Sequence, residues 1–420
     1  MSVKEKNASR ALAKRSSGKT VCVFFAFGCD RARYDTHMLV EYFRKNDWQV
    51  LPRPQEADLI VMCLCGFTQG NEHRSLKVLS RQLRRKKKDA QVLVTGCLAG
   101  ICKTKIAESF DAVPVNLHNS TELDDYIGAR APLLEVLHNR TTFTAPTKED
   151  IRYIDAADSL YSKLSFSAEP VVSVMTRALC RPTCSFPPKA QQNQYSVRVA
   201  TGCLEDCAYC AIKNASGRLR SRPIETIVRE FRAGLANGYT TIKLLGEDVG
   251  AYGQDTGASV VDLLQALWNI KGDYRIVWTD FHPKWLIQNI NTLSRVLAEN
   301  STRLGYMGFP IQSGSNKVLR QMQRDYSVCD AEKAFLELER AAPNAELLTH
   351  ILIGFPGESA EDFEQTLAFV EEVDFRYIYV YRYSDRPNTE SILLPEKVSP
   401  TVILRRYWRF IRRFRDRAIV

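Results

Sequence analysis

Short apolar runs alternate with amphipathic segments along much of this chain, and this alternation constrains the fold more than any other feature. From Ser196 onward there are six such runs: SVRVATG, TTIKLLGE, YRIVWTDF, RLGYMGFPIQ, LLTHILIGFPG and YIYVYRYS. We place the intervening helices near Pro223, Ser259, Pro283, Ser315 and Ser359, with a last helix over 402–418. Repeated strand–helix units predict a parallel sheet. Six units make three quarters of a TIM-like barrel, whose active site lies at the strand C-termini.

An earlier stretch, from about Val21 to about Asn139, shows the same alternation. The runs VCVFFAFG, ADLIVMCLC and AQVLVTGC are typical of buried strands, and amphipathic segments separate them. The pattern predicts an open parallel α/β sheet. Its three strands end at Cys29, Cys65 and Cys97, and the carboxyl ends of parallel strands line one edge, where ligands gather. We therefore expect a three-thiolate site; the alternative is that free cysteines simply bury as small apolar side chains.

Length and composition set the domain organisation and the class of protein. A chain of 420 residues suits two domains. We predict a disordered basic tail over 1–20, an N-terminal α/β domain over 21–140, a linker over 141–195 and the partial barrel over 196–420. The tail lacks the apolar segment of a signal peptide, and no run approaches a membrane span. These features predict a cytoplasmic protein without membrane contact, in which the twelve cysteines bind metal or stay as thiols.

The stretch ATGCLEDCAYCAIK carries the densest group of potential ligands. It holds Cys203, Cys207 and Cys210 with gaps of three and two residues. A structural zinc site takes four ligands, usually as pairs, and no fourth cysteine lies within a hundred residues downstream. Three thiolates suit a cubane iron–sulfur cluster with one iron left open. Since the group follows the first barrel strand, we expect it at the mouth of the barrel.

Other features leave alternatives open. In the linker, Cys180 and Cys184 are either ordinary thiols or ligands. The basic run RQLRRKKKDAQ is most simply a solvated helix face. Residues 405–417 contain seven arginines with interleaved apolar side chains, so this segment either packs as the last barrel helix or contacts nucleic acid. The histidines show no mutual ligand spacing, which favours core or surface roles: His73, His118, His138, His282 and His350.

The CxxxCxxC spacing, with Tyr209 before the last cysteine, resembles the radical S-adenosylmethionine (SAM) superfamily. The order of further motifs is similar to the methylthiotransferases of that superfamily. These motifs are FGCDRARYD, MCLCGF, VTGCLA, GRLRSRP, LLGEDVGAYGQD, FPIQSGSNKVLRQMQRDY, ILIGFPGESAEDFEQT and YSDRPNT. CAIKNASG and GEDVGAYG most resemble the archaeal and eukaryotic branch, which modifies threonylcarbamoyl-adenosine in tRNA. Other branches modify isopentenyl-adenosine in tRNA or an aspartate of a ribosomal protein.

The resemblance implies two [4Fe–4S] clusters and SAM as cofactors. Cys203, Cys207 and Cys210 would hold the catalytic cluster, where reductive cleavage of SAM gives a 5′-deoxyadenosyl radical. Cys29, Cys65 and Cys97 would hold an auxiliary cluster that carries sulfide, which a first SAM methylates. Glu247 would meet the methionine ammonium of SAM, or is a surface carboxylate. Gly354 would approach the adenine, or is a turn glycine. The expected cofactor contacts are Tyr209, Gly246, Glu247, Asp248, Ser313 and Gly354.

The chain departs from the family's pattern at Ala32, Cys63, Ser216 and Asn388, and it stops 36 residues after Ser384. We therefore expect no C-terminal TRAM domain, the module with which many relatives hold substrate. These departures favour a specialised metabolite or peptide as the substrate over a tRNA adenosine. A non-catalytic iron–sulfur protein that binds nucleic acid is a third hypothesis. A flavodoxin- or ferredoxin-like electron donor is the other partner that the resemblance implies.

Overall fold

The computed structural model describes residues 19–26, 29–118, 121–138 and 193–419, and these form two compact units. The first unit holds the described residues up to 138, together with Ala211–Gly217 and Arg386–Asn388. The second unit holds the remaining described residues from 193 onward. Nearly all of the predicted tail and linker, including Cys180 and Cys184, lies outside the described residues.

A five-stranded parallel sheet forms the core of the first unit, in the order β2-β1-β3-β4-β5. The three predicted strands are confirmed and occupy its centre, where nearly every residue is buried. The two edge strands are only two residues long, too short to leave an apolar run in the sequence. The strands are β1 (Thr20–Ala26), β2 (Gln49–Val50), β3 (Leu59–Leu64), β4 (Gln91–Thr95) and β5 (Val113–Pro114).

Seven helices belong to the described part of the first unit. They are α1 (Asp30–Lys45), α2 (Gln69–Arg85), α3 (Cys97–Ile101), α4 (Lys103–Ser109), α5 (Glu122–Ile127), α6 (Leu133–His138) and α7 (Lys213–Ser216). The last of these comes from far along the chain and packs on α3. At Gly100 a Cβ would lie 2.4 Å from the Cα of Ala215, so the two backbones are in close contact.

The second unit is built on a seven-stranded parallel sheet, in the order β14-β13-β12-β11-β10-β9-β6. Its six predicted strands are confirmed, so the α/β class with an open parallel sheet and a partial barrel is confirmed too. A separate antiparallel pair joins β7 (Ala200–Thr201) to β8 (Arg220–Ser221). The sheet strands are β6 (Gln194–Arg198), β9 (Thr241–Leu245), β10 (Arg275–Trp278), β11 (Leu304–Gly308), β12 (Glu346–Ile353), β13 (Phe375–Arg382) and β14 (Ala418–Ile419).

The predicted helix starts of the second unit coincide with observed caps. Ser259, Ser315 and Ser359 each accept a backbone N–H at a helix N-terminus, as good N-caps do. Two helices, not one, separate the fourth and fifth strands. The helices are α8 (Ile224–Ala236), α9 (Val260–Trp268), α10 (Pro283–Glu299), α11 (Asn316–Gln321), α12 (Val328–Ala341), α13 (Ala360–Glu372) and α14 (Pro400–Arg413), with 3-10 turns at Ser301–Arg303 and Glu390–Leu393.

The expected last helix over 402–418 is wrong at its end. The helix stops at Arg413, and β14 then adds to the edge of the sheet beside β13. Arg417 holds this reversal, because its guanidinium donates to the carbonyls of Val370 and Val373. None of the helices in the described part of the chain is long and apolar enough to cross a membrane.

The contact between α3 and α7 gives a test of the first unit. Gly100→Ala places a methyl group against the Ala215 backbone, which is too rigid to move aside cheaply. We expect a loss of unfolding free energy of about 1–3 kcal/mol, the usual cost of overpacking. Urea denaturation followed by circular dichroism measures it. An unchanged midpoint would show that the 211–217 segment does not pack there.

Candidate functional site

The cysteine loop of the second unit follows β7, a strand of the separate antiparallel pair. Gly202 adopts φ +77°, a conformation that suits glycine, and its N–H donates to Glu247 Oε2 at 2.8 Å. Burial raises the pKa of the Cys203 thiol, and the charges of Asp248, Cys207 and Cys210 raise it further. The structure therefore brings the three predicted thiols of this loop together at the carboxyl edge of the sheet.

Two protein donors point at sulfur atoms of this loop. The Glu205 N–H lies 3.4 Å from Cys203 Sγ, and Arg324 Nη1 lies 3.6 Å from Cys207 Sγ. Hydrogen bonds and positive charge favour the thiolate form, which is the form that binds metal. Within the described ranges, no three His, Cys, Asp or Glu side chains converge closely enough to hold a single ion. The thiolates of a multi-iron cluster each bind a different iron, so such a cluster does not require them to converge on one ion.

Arg324 is a functional candidate that the sequence did not single out. Its side chain is buried and donates from Nη1 to Tyr209 Oη (2.9 Å) and from Nε to Tyr326 Oη (3.0 Å). The guanidinium also contacts the Pro310 carbonyl at 2.5 Å. A buried charge needs such compensation, and here a cysteine thiol completes it. In the sequence, a single arginine within a polar segment looks like a surface residue.

The predicted cofactor contacts around β9 have different surroundings. Glu247 is half-buried and ties the loop to the strand end through Gly202. Asp248 is buried and accepts three hydrogen bonds, from the N–H groups of Gly250 and His282 and from Trp285 Nε1. Burial raises the Asp248 pKa to about 6. At Gly246 a Cβ would meet nothing closer than 3.6 Å, so the protein's own packing does not require glycine there.

The other three residues that were predicted to contact the cofactor mainly contact other residues of the protein. Tyr209 packs edge-on against Phe355, with ring centroids 6.5 Å apart. Ser313 is buried, and its hydroxyl accepts the Ser315 N–H at 3.2 Å. Gly354 adopts φ +86°, and a Cβ there would lie 2.4 Å from Ile403. A turn with close packing therefore accounts for Gly354 without a ligand.

His282 is a second residue that the sequence did not assign to the site. Its Nδ1 accepts the Lys284 N–H at 3.2 Å, which leaves the proton of a neutral ring on Nε2. Burial lowers the His282 pKa well below its usual value, and the charges of Arg324 and Lys284 lower it further. Within the described part of the chain, Nε2 is buried and has no hydrogen-bond partner. The His282 Nε2–H group is therefore a buried donor near Arg324 that is available to a ligand.

The three cysteines of the first unit also come together. Their strands β1, β3 and β4 are parallel neighbours, so the strand ends share one edge. Burial raises the Cys97 pKa, and the nearby thiols of Cys65 and Cys29 raise it further. Asn71 Nδ2 lies 3.4 Å from Cys65 Sγ and supplies a donor. As predicted from the topology, three thiols meet without any local spacing motif.

A buried charge network lies next to Cys65. Arg386, from the second short segment of this unit, donates to Glu72 (2.8 Å) and to the Gly66 carbonyl (2.7 Å). Lys105 contacts the other oxygen of Glu72 at 2.7 Å. This network fixes the backbone that follows Cys65. The sequence gives no hint of the pairing, because 314 residues separate Arg386 from Glu72.

Two family models match the chain. Residues 22–117 match the uncharacterized protein family UPF0004, and residues 197–370 match the radical SAM superfamily. The chain is 27% identical to a threonylcarbamoyladenosine tRNA methylthiotransferase, MtaB, of Thermotoga maritima, over 86% of this chain and 74% of that one. It is 28% identical to the ribosomal protein uS12 methylthiotransferase RimO of a Nitratiruptor species, over 90% and 77%. It is 27% identical to a tRNA-2-methylthio-N(6)-dimethylallyladenosine synthase of Acidothermus cellulolyticus, over 92% and 71%.

Solved structures share the fold at low sequence identity. The radical SAM methyltransferase TsrM of Kitasatospora setae, solved with cobalamin and a [4Fe–4S] cluster, has a TM-score of 0.53 at 12% identity. That match covers 89% of this chain and 77% of TsrM. OxsB, a cobalamin-dependent radical SAM enzyme, has a TM-score of 0.51 at 12% identity, over 84% of this chain and 52% of OxsB.

The structure separates Cys63 from Cys65. Cys63 is buried against Phe25 and Ala32, whereas Cys65 ends the strand next to its Asn71 donor. We expect Cys65→Ala to lower the iron content of the reconstituted chain and Cys63→Ala to leave it unchanged, because only Cys65 stands at the strand end. Iron analysis after anaerobic reconstitution measures both variants. Iron loss in Cys63→Ala alone would mean that the register of β3 is shifted by two residues.

The Arg324 contact gives a second test. We expect Arg324→Gln to weaken iron retention about 10- to 100-fold in competition with a chelator, as losses around metal ligands usually do. Arg324→Lys, which keeps the charge, should restore part of the retention. Arg320→Gln is the matched control, because Arg320 is exposed in the same segment. Equal retention in the Arg320 and Arg324 variants would remove Arg324 from the site.

Proposed function

Since the chain belongs to the radical SAM methylthiotransferase family, we propose that it replaces a C–H bond of a tRNA adenosine with a C–SCH₃ bond. The family uses SAM and two [4Fe–4S] clusters. The observation that carries the proposal for this chain is the pair of thiol triads. Each triad stands at the carboxyl edge of its own parallel sheet, where such folds hold ligands.

We assign the catalytic cluster to Cys203, Cys207 and Cys210. When bound, this cluster supplies the electron that cleaves SAM into a radical able to abstract hydrogen. The chain's own residues hold and tune the thiolates: Arg324 places positive charge beside Cys207, and the Glu205 N–H points at Cys203. Glu247 keeps the loop against the end of β9 through Gly202.

Three further groups of the second unit suit SAM. At Gly246 the protein's own packing leaves room for close approach of a ligand. His282 offers a buried N–H donor with a defined tautomer. Glu247 is half-buried at the strand end, where one of its oxygens holds the loop. We propose that Tyr209 is a site residue that acts through Arg324. We assign Asp248, Ser313 and Gly354 a structural role, because Asp248 and Ser313 form hydrogen bonds with other residues of the protein and Ile403 packs against Gly354.

We assign the auxiliary cluster to Cys29, Cys65 and Cys97. The first unit supports these thiols from two sides, with Asn71 donating to Cys65 and with Arg386 fixing the carbonyl of Gly66. When bound, this cluster supplies the sulfur that becomes the methylthio group. The separate placement of the two triads in two compact units accounts for six of the twelve cysteines.

For the substrate, the relatives point to translation rather than to specialised metabolism. Their names specify tRNA adenosines or ribosomal protein uS12, at 25–28% identity. The preference for a specialised metabolite, which the sequence suggested, finds no support among them. A net charge of +10 favours the polyanionic candidate, since it attracts nucleic acid at long range. An electron donor of the flavodoxin or ferredoxin kind is a further partner of the proposed reaction.

Iron content tests the two assignments together. We expect about eight irons per reconstituted chain, from two four-iron cubanes. Replacing Cys203, Cys207 and Cys210 with Ala should halve the iron and abolish 5′-deoxyadenosine formation on reduction with SAM. Replacing Cys29, Cys65 and Cys97 should also halve the iron but leave 5′-deoxyadenosine measurable. Full iron in the second variant would refute the auxiliary site.

The substrate is tested in the complete anaerobic reaction with SAM, sulfide, reductant and unfractionated tRNA. Mass spectrometry of the digested tRNA should show methylthiolated adenosine, and none should form with the Cys203, Cys207 and Cys210 variant. A peptide from ribosomal protein uS12, the substrate that the names of two relatives specify, serves as the competing substrate. Methylthiolation of the peptide with unmodified tRNA would overturn the tRNA assignment.

A further inference from the structure

One face of helix α2 carries a line of positive charge. Lys77, Arg81, Arg84 and Arg85 stand at positions i, i+4, i+7 and i+8 of the helix. At 3.6 residues per turn, these four positions fall within an arc of about 100°. Three of them are exposed and Arg81 is half-buried, while the other side of the helix buries Ser75, Leu79 and Gln82, among others. We call these four residues the cationic stripe.

The cationic stripe has no ion pair within the described part of the chain. Its sequence neighbours do: Lys86 lies 3.6 Å from Asp111, and Lys87 lies 3.1 Å from Asp58. Like charges at i and i+4 destabilise a helix by about 0.2–0.5 kcal/mol per pair. Lys77 with Arg81 and Arg81 with Arg85 are such pairs, and only Arg84 and Arg85 stand in the last turn, where the helix dipole favours a cation.

The other arginine-rich helix, α14, is treated differently. Arg406 pairs with Glu358 at 2.7 Å, and Arg409 and Arg413 pair with Glu364 and Glu371. Its arginines thus fasten it to the loop before α13 and to α13 itself. Three arginines of α14 therefore form ion pairs with other residues of the protein. The four cations of the stripe on α2 form none within the described part of the chain.

We propose that the cationic stripe is a docking surface for the phosphate backbone of the RNA substrate. The identity of the partner as RNA rests on the proposed function; the surface itself rests on its charge. From residue 77 to 85 the helix rises about 12 Å, which matches roughly three or four phosphates along one strand. Arginine, which supplies three of the four cations, presents a planar fork that suits phosphate.

Other polyanionic partners fit the stripe less well. A helix that binds a membrane inserts an apolar face, and the apolar face of α2 is already buried in the first unit. A stable protein interface needs aromatic or apolar residues at its centre. The stripe has none among its four members, so a backbone of phosphates is the complementary surface.

The test uses the full-length reconstituted chain without reductant and a fluorescent pool of unfractionated tRNA. The variant carries Lys77→Gln, Arg81→Gln, Arg84→Gln and Arg85→Gln, and anisotropy is measured over a range of salt concentrations. Each phosphate contact contributes about −0.7 to −0.9 to the slope of log affinity against log salt. We expect the slope to become less steep by roughly 3, with binding at least tenfold weaker at about 0.1 M salt.

A control variant removes the same number of charges elsewhere. Arg320, Arg405, Arg412 and Arg415 are exposed, have no ion pair in the described part of the chain, and are each changed to Gln. The control should keep the wild-type slope. Equal losses of tRNA affinity in both variants would overturn the proposal, and so would an unchanged slope in the stripe variant. The proposal would also be overturned if the stripe variant lost binding to anionic phospholipid vesicles while its tRNA binding stayed intact. Circular dichroism melting verifies that both variants fold.

A parallel assay separates this surface from the proposed reaction. Reductive cleavage of SAM needs no RNA contact, so the stripe variant should form 5′-deoxyadenosine at the wild-type rate without tRNA. If it does so while the salt slope of its tRNA binding is unchanged, the docking role of the cationic stripe is refuted and the proposed reaction is not. If the slope changes as expected but the wild-type chain forms no 5′-deoxyadenosine, the reaction is wrong and the surface stands.

Discussion

Parallel pairing of strands is the constraint on which the rest of this structure depends. In a parallel sheet every strand ends at the same edge, so side chains that follow successive strands meet there. Cys29, Cys65 and Cys97 are brought together in this way, because β1, β3 and β4 are direct neighbours. In the second unit the same rule brings Glu247 at the end of β9 to the loop that follows β6 and β7. The first triad and the approach of Glu247 to the second triad are thus products of topology.

Burial of charge next to these edges gives the sites their chemical character. A thiolate in an apolar surrounding is unfavourable unless donors or cations stabilise it. Arg324 does so for Cys207, and the Asn71 side chain and the Phe67 N–H do so for Cys65. Burial lowers the pKa of His282, the charges of Arg324 and Lys284 lower it further, and a neutral ring with one free N–H is a donor rather than a charge. The second unit therefore holds the buried cation Arg324, the neutral donor His282 and three thiols in a single neighbourhood.

Much of the fold follows from the sequence, because strand and helix periods are local. Every predicted strand is present, and Ser259, Ser315 and Ser359 cap helices where expected. The errors are also local in origin: two-residue strands such as β14 leave no periodic signal. The site was less predictable. Arg324 and Arg386 reach their partners across 117 and 314 residues, and such contacts depend on the completed fold. Gly354 shows the reverse case, since its expected ligand contact is replaced by packing on Ile403.

The most direct test of two separate iron–sulfur sites is electron paramagnetic resonance of the reduced, reconstituted wild-type chain before and after addition of SAM. The two triads lie in different compact units with different donors, so the reduced protein should show two distinguishable cluster signals. Addition of SAM should change one of them, and that one should be missing from the variant without Cys203, Cys207 and Cys210. A single signal, or two signals that SAM leaves unchanged, would contradict the assignment of a SAM-binding cluster to the second unit and an auxiliary cluster to the first.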